Sequence, residues 1–304
     1  MRILSINITP EMEGRRVSSI LRYRLNMDKG YVVRLKYKAG AIKLDGKDAR
    51  TVDRVSAGQL LEVDISDRDT VAGIEPIDYP LNVIHEDLDC AVIDKPAGMS
   101  CHGSGSKKEP SLIEAFAHRW GEDAAFHPVS RLDKGTSGLI CVALNGYTHS
   151  LFIRALHSED YRREYFLICS PPPAEKKGSI SLPIARESEE SPRRCVSPDG
   201  APALTEYEVI AEDGTLALAR ARLHTGRTHQ IRVHFSAIGS PLLGDAFYGG
   251  NCDTIDRPAL HSAFLNMKHP ISGERISLSS PLPEDMAAIS LFLADAARKE
   301  LEKT

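Results

Sequence analysis

Apolar residues near the start of the chain change from a helical to a strand-like spacing. Val17, Ile20, Leu21 and Leu25 recur at the three- and four-residue spacing of one helix face, and a second short helix is predicted over residues 30–37. After it, AIKLDGK places an Asp-Gly turn between two short strands, and QLLEVDI alternates like a half-buried strand. These elements predict a compact module of about 55 residues, too small for a robust core of its own.

An acidic stretch with glycine and two prolines, residues 66–80, follows this module and has the composition of a linker. We therefore assign residues 1–70 to the N-terminal module, 71–80 to the linker and 81–304 to a second domain. In that domain strands are predicted at NVIHEDLDCAVIDKP, SGLICVALN, REYFLIC and TLALARARL, and helices at SLIEAFAHRWG, THQIRVHFSAIG and MAAISLFLADAARKELEK. Residues 178–200 are predicted to form an exposed hairpin or loop. The order lacks a regular βαβ alternation, which favours an α+β fold with a mixed or antiparallel sheet.

Charge is spread unevenly over a chain of ordinary globular composition. Hydrophobic residues make up 42% and charged residues 26%, and the formal net charge is −4. Residues 14–50 nevertheless hold eleven basic and three acidic residues, a net charge of +8. This asymmetry indicates that the N-terminal module binds a polyanion. The alternative is a solvated helix face rich in Lys and Arg.

Several classes of protein are excluded by what the sequence lacks. The six cysteines form no C-x-x-C pair, so neither a zinc site nor a disulfide framework is indicated. There is no G-x-G-x-x-G, no G-x-x-x-x-G-K-[ST] and no G-x-S-x-G motif, and no apolar run is long enough to span a membrane. The start, MRILSINITPEMEG, does not have the pattern of a secretory signal. We expect a cytoplasmic, monomeric protein with reduced thiols.

Three stretches carry more functional residue types than a core requires. One of them, REYFL at residues 163–167, is by itself a strand with an aromatic residue near its start, and a core tyrosine explains it equally well. In RLDKGTSG, Arg131 and Asp133 stand on a tight loop before an apolar strand, a common position for catalytic groups. The alternative is that Asp133 accepts backbone N–H groups of its own turn. In TGRTHQIRVH, His229 and His234 are five residues apart, a spacing that does not favour a shared metal.

Taken together and in order, these motifs resemble the RluA family of RNA pseudouridine synthases. The resemblance extends from about Leu81 to Pro283 and includes DKPAGM, RLD with TSGL, Arg163-x-Tyr165, A-x-T-x-Y at 203–207, TGRTHQIRVH, and GD-x-x-YG at 244–249. The N-terminal module is similar to the S-four-type RNA-binding domain that often precedes this catalytic domain. One residue departs from the family pattern, because Ser130 stands where a histidine usually precedes Arg-Leu-Asp.

The resemblance implies an enzyme that converts specific uridines to pseudouridine in structured RNA, with ribosomal RNA favoured over transfer RNA, and without cofactor or metal. Its implied catalytic residues are Asp133, Tyr165 and Arg232, with Arg232 placed against the Asp133 carboxylate. The RNA-binding residues it implies are Arg131, Arg227 and His229 in the catalytic domain and Arg15, Arg16, Arg34, Lys36 and Lys38 in the N-terminal module. The alternative is an inert paralogue that acts as an RNA-binding or ribosome-assembly factor, for which Ser130 is the only support.

Overall fold

The computed structural model describes residues 2–67, 71–103, 109–121 and 123–301, with side chains described as far as residue 293. The α-helices are α1 (Val17–Tyr23), α2 (Lys29–Tyr37), α3 (Leu112–Trp120), α4 (Gly146–Ala155), α5 (Gln230–Ala237) and α6 (Glu284–Leu301). The strands are β1 (Ile3–Asn7), β2 (Ile42–Leu44), β3 (Lys47–Asp48), β4 (Leu60–Asp64), β5 (Asn82–Glu86), β6 (Cys90–Lys95), β7 (His127–Pro128), β8 (Ser137–Ala143), β9 (Tyr161–Cys169), β10 (Lys177–Ser181), β11 (Ile184–Arg186), β12 (Arg194–Val196), β13 (Leu204–Glu212), β14 (Ala217–Leu223), β15 (Leu260–Lys268) and β16 (Arg275–Ser279). None of the described helices combines the length and hydropathy that crossing a bilayer requires.

The N-terminal module packs α1 and α2 on an antiparallel sheet of order β1-β4-β2-β3. Helix α2 begins after Asp28, whose carboxylate accepts the backbone N–H of Tyr31 at 2.8 Å. The sequence pattern does not predict the first strand, β1. The core of the module is completed by Tyr147 of α4, whose hydroxyl donates to the carbonyl of Leu25 at 2.5 Å. A small module therefore gains apolar contacts from the second domain, as its size requires.

The segment between the module and the second domain is packed rather than free. Val71 is fully buried in the core of the second domain, and Ile74 and Tyr79 pack against the same cluster. The N–H of Ile77 bonds to the carbonyl of Glu114 in α3 at 3.2 Å. The polar composition that suggests a linker conceals apolar residues which dock this segment onto the domain. Residues 68–70 lie outside the described part of the chain.

The second domain is built on a ten-stranded sheet with the order β10-β13-β14-β9-β15-β8-β6-β5, where β16 also pairs with β15 and β7 with β8. Only the β8–β15 pairing is parallel among the described strands, which confirms the α+β fold with a mixed, largely antiparallel sheet. Strand β8 is buried at every position, in agreement with its continuous apolar sequence. The three predicted helices are present as α3, α5 and α6, while α4 is an addition to the prediction. Residues 178–200 supply most of the edge strand β10 and the small β11–β12 hairpin.

Candidate active site

Asp133 lies on the loop that joins β7 to β8. The loop turns through a bond from the N–H of Thr136 to the backbone carbonyl of Asp133 at 3.0 Å. The carboxylate oxygen Oδ2 accepts from Nη1 of Arg232 at 3.2 Å and lies 3.8 Å from Nε2 of His229. No described backbone N–H bonds to the carboxylate, so the turn-capping alternative is not what the structure shows. The loop instead presents Asp133 to two residues from about a hundred positions further along the chain.

Arg232, on α5, is oriented by a second carboxylate. Its Nε and Nη2 donate to the two oxygens of Asp245 at 2.7 and 2.8 Å, which leaves Nη1 for Asp133. Asp245 is 1% exposed and Arg232 is 8% exposed, so the ion pair is almost fully desolvated. Burial opposes the charge of the guanidinium, but Asp245 and Asp133 outweigh it and raise the pKa of Arg232. The arginine is therefore a fixed cation with one defined position against Asp133.

His229 precedes α5 in a left-handed backbone conformation, with φ of 57°, which is rare for residues other than glycine. Its Nδ1 lies 2.8 Å from the hydroxyl of Tyr248, and that hydroxyl accepts the N–H of Arg194 at 2.9 Å. The hydroxyl of Tyr248 thus links His229 to the backbone of β12 and holds the imidazole with its Nε2 edge toward Asp133. Burial lowers the pKa of His229, and this favours the neutral ring.

Tyr165 reaches the same recess from β9. Alternation along this strand buries Tyr161, Arg163, Tyr165 and Leu167 on one face. Tyr165 is 4% exposed and lines a small recess of about 50 Å³ together with Asp133, Arg232 and His229. Burial raises the pKa of its hydroxyl, whereas Arg163 and Ser262 act in the opposite direction. The structure thus brings the three residues expected to be catalytic into one recess.

A buried lysine holds the Asp133 loop in place from one side. Lys95 is completely buried, and its Nζ donates to the carbonyls of Pro96 and Met99 at 2.9 Å each and of Lys134 at 3.5 Å. Burial lowers its pKa to about 8. The N–H of Gly98 bonds to the carbonyl of Lys134 at 2.8 Å as well. The DKPAGM motif therefore serves as a support for the neighbouring loop, a role that its sequence does not reveal.

Strand β15 and the residues before it support the other side of this loop. Arg257 donates to the carbonyl of Gly135 at 3.1 Å while its guanidinium is held by Asp285. Gly138, with φ of 104°, lets β8 approach β15 so closely that a Cβ would lie 2.3 Å from the carbonyl oxygen of Ser262. The glycine of the TSGL motif is thus required by the contact between these parallel strands.

Around the recess opens a larger cleft of about 800 Å³ with a cationic lining. Its basic and imidazole side chains include His102, Arg131, Lys134, His157, Arg163 and Arg227, and Asp133 is the one carboxylate among its described lining residues. Ser130 lines this cleft as well. A cleft with this balance of charge attracts anions and concentrates them beside Asp133.

The basic residues expected in the N-terminal module lie on its surface, away from the cleft lining. Arg15, Arg16, Arg34 and Lys36 are exposed. Lys38 differs from them because its Nζ pairs with Asp64 at 2.8 Å and donates to two backbone carbonyls. It contributes to the structure of the module and is the least available of the five for binding.

Sequence reasoning identifies Asp133, Arg232, Tyr165 and the basic residues near them, but misses the buried residues that hold them. Asp245 lies in the GD-x-x-YG motif and Lys95 in DKPAGM, so their motifs are visible in the sequence while their partners are not. Away from the cleft, His85, Asp87 and Cys90 bring possible metal ligands together at the β5–β6 turn. The expectation that the reaction needs no metal stays a prediction.

Comparison with known proteins gives consistent results for family and fold. Residues 89–237 match the family described as RNA pseudouridylate synthase. The chain is 32% identical over 290 residues to the "Uncharacterized RNA pseudouridine synthase YhcT" of Bacillus subtilis, covering 94% of this chain and 95% of that protein. It is 35% identical over 279 residues to "Ribosomal large subunit pseudouridine synthase D" of Xanthomonas campestris, covering 86% and 84%. The solved structure of "Human RNA Pseudouridylate Synthase Domain Containing 1" aligns with a TM-score of 0.55 at 26% identity, over 66% of this chain and 83% of that one.

Proposed function

This chain belongs to the RluA family of RNA pseudouridine synthases, and on that premise we propose that it isomerises uridines of large-subunit ribosomal RNA with Asp133 as the reacting group. The observation that carries the proposal is the Asp133–Arg232 pair at the base of a cationic cleft. Ribosomal RNA is preferred over transfer RNA because several relatives bear the name "Ribosomal large subunit pseudouridine synthase D". The product is an isomer of the substrate, so no group is gained or lost overall.

The first step uses the carboxylate of Asp133. It either attacks the anomeric carbon, displacing the uracil, or removes the ribose 2′-proton so that the N-glycosidic bond breaks. Arg232 occupies Oδ2, while Oδ1 makes no hydrogen bond to any described residue and is available to react. The bidentate grip of Asp245 keeps the guanidinium from turning to cover both oxygens.

In the second step the uracil turns and its carbon 5 bonds to the anomeric carbon, while the Asp133 ester bond breaks on the first route or the 2′-proton returns to the ribose on the second. The carbon 5 proton then leaves to solvent and N1 carries a proton in the product, so that the base remains neutral and Asp133 is regenerated. Tyr165 supplies an aromatic surface for the base and a hydroxyl within the same recess. We assign it to stacking on the uracil and to assisting removal of the proton. His229 places its Nε2 3.8 Å from Oδ2 of Asp133, on the same carboxylate oxygen that Arg232 contacts, and so leaves Oδ1 free on this side as well.

The cationic cleft accounts for binding of a flipped nucleotide. A base inside a helix must leave its stack to reach a recess of this kind, at a cost of a few kcal/mol. Contacts of Arg131 and Arg227 with the sugar–phosphate backbone offset that cost. Arg227 also donates from Nε to the carbonyl of Pro202 at 3.1 Å, which fixes the side chain at the rim.

The N-terminal module offers a second surface suited to RNA. Tyr23 and Tyr37 are 68% and 78% exposed, and the cationic groups of Arg22 and Lys36 lie about 5.5 and 5.4 Å from their rings. Exposed aromatic rings beside basic side chains suit stacking on unpaired bases. We assign this surface, as an S-four-type domain, to RNA binding outside the catalytic cleft.

The test is release of tritium from RNA labelled at carbon 5 of uridine, with ribosomal and transfer RNA assayed separately. We expect release from large-subunit ribosomal RNA, and loss of release with nearly unchanged RNA affinity in Asp133→Asn. Turnover by Asp133→Asn would remove Asp133 from the role, and release from transfer RNA alone would reverse the substrate assignment. Binding without release from either pool would favour the inert paralogue, with Ser130→His as the variant to examine next.

A further inference from the structure

Arg163 is a buried cation that has no carboxylate partner in the described part of the chain. It lies on β9 and is 5% exposed. Its Nε and Nη2 are buried without a hydrogen-bond partner. The guanidinium interacts with the hydroxyl of Tyr165, which carries no charge to neutralise it, and no carboxylate among the described residues pairs with it. Buried polar groups are nearly always hydrogen-bonded, and an unpaired buried charge opposes folding. Such a group calls for a ligand that is not part of the protein.

The other arginines of β9 and of its neighbour β14 do have carboxylate partners. Arg162 and Arg222, which are more exposed, both pair with Glu159, and Arg220 pairs with a carboxylate of β13 at 2.8 Å. On this sheet, carboxylates thus accompany the arginines that water already solvates. Arg163 has no carboxylate partner among the described residues, although its burial makes a counter-ion more stabilising there than at an exposed position. The missing partner is a specific property of this position and not of the region.

Arg163 borders the cleft at a place where the chain leaves it uncovered. It lines the cleft together with Gly226, Arg227 and His157. A Cβ at Gly226 would lie 3.6 Å from both Nη1 and Nη2, so any side chain at this position would cover the guanidinium. Gly226 therefore leaves no side chain between the cleft and the Nη1–Nη2 edge of Arg163, the edge that an anion in the cleft meets first.

We propose that Arg163 and the Gly226–Arg227 backbone form a subsite for one phosphodiester group of the RNA, adjacent to the uridine held at Asp133. The proposal rests on the proposed function and adds a binding residue to it. A guanidinium fork matches the two unesterified oxygens of a phosphodiester. RNA carries such an anion at every nucleotide, whereas the uracil ring is neutral when it enters.

The position along β9 separates this subsite from the place of the base. Tyr165 faces the recess of Asp133, and Arg163 precedes it by two residues on the same face, a step of about 6.6 Å along a strand. Arg163 lines the outer cleft but not the recess itself. The phosphodiester bound by Arg163 therefore lies outside the recess that holds the base, along the RNA backbone next to the uridine.

The test compares Arg163→Met with Arg220→Met, which removes the same charge from an exposed, carboxylate-paired position of the sheet. Both are made in the full chain carrying Asp133→Asn, and the probe is large-subunit ribosomal RNA transcribed in vitro. We expect Arg163→Met to bind about tenfold more weakly and to have a salt dependence of log K shallower by about 0.7–0.9, the value of one phosphate contact. Arg220→Met keeps the parent slope, and Arg163→Lys restores the slope with only part of the affinity. Equal slopes for the two Met variants would overturn the subsite.

Thermal unfolding without RNA distinguishes a binding role from a structural one. Because the unpaired charge opposes folding, Arg163→Met should unfold at a temperature equal to or above that of the parent. A lower midpoint would overturn the proposal, since the guanidinium would then stabilise the protein by itself. Tritium release with an unchanged KM by Arg163→Met in a chain that keeps Asp133 would remove the subsite and leave the isomerase. Absence of release by the wild type would instead remove the isomerase, while the slopes would still report on Arg163.

Discussion

The sharpest test of the site is Asp245→Asn, which keeps the shape of the side chain that orients Arg232 and removes its charge. The asparagine retains one acceptor oxygen but turns an amide N–H₂ toward a guanidinium N–H. One charge-assisted bond is removed and the other weakens, in a pair that is 1% and 8% exposed. Since Asp133 still partly neutralises Arg232, we expect the free energy of unfolding to fall by about 3 kcal/mol, at the lower end for a broken buried pair. For 304 residues, that corresponds to a fall of about 5 °C in the unfolding midpoint.

Turnover should fall further than stability alone explains. Without Asp245 the guanidinium is free to bind both oxygens of Asp133, and misplacement of this kind costs about a hundredfold in rate. The turnover of Asp245→Asn is measured by tritium release at a temperature where the variant is folded. We expect kcat to fall more than RNA affinity does. Glu208→Gln, which breaks an exposed ion pair with Arg220, is the matched control and should cost less than about 1 kcal/mol. A folded Asp245→Asn with wild-type kcat would refute the claim that this carboxylate positions Arg232.

Three further predictions concern the supports of the site and the N-terminal surface. The pKa of Lys95 is lowered from 10.5 to about 8, so between these pH values the unfolded chain holds a proton that the folded chain has released. The free energy of unfolding therefore rises with pH over this range. Denaturation of wild type and Lys95→Met should show that wild type gains stability relative to the variant as the pH rises from about 8 to 10.5. Gly138→Ala should lower the free energy of unfolding by about 3 kcal/mol or more, because its Cβ meets a backbone oxygen of β15. Gly239→Ala is the control, since Gly239 also has a positive φ but lies in open space, and it should cost about 1 kcal/mol. Equal costs for the two variants would contradict the argument that β8 needs a glycine to approach β15. Replacing Arg15 and Arg16 by Gln should make the salt dependence of RNA binding shallower by about 0.7–0.9 for each phosphate that is no longer neutralised, and an unchanged slope would remove both from the interface.

Local sequence determined the elements and the residues that we propose as reacting groups. The helical spacing of Val17 and Ile20, the continuous apolar run of β8 and the Asp-Gly turn between β2 and β3 each predict structure from neighbouring residues. Asp133, Tyr165 and Arg232 are identifiable because their motifs are short and contiguous. The pattern does not predict strand β1 or helix α4. It predicts a linker over residues 71–80 because the acidic residues, glycine and prolines there outweigh Val71, Ile74 and Tyr79, the side chains that pack on the domain.

Tertiary structure alone decided how those groups are held and charged. Asp133 meets Arg232 across 99 positions, Lys95 reaches the Asp133 loop across 39, and Gly138 lies against a strand more than 120 residues away. The sequence also cannot show that Arg232 has two carboxylate partners while Arg163, equally buried, has none among the described residues. The physical reason is that desolvation and ion pairing depend on which distant side chains share a space. Residue type and local spacing determine which elements form and which reacting groups they carry, whereas the packing of the sheet determines their electrostatic state.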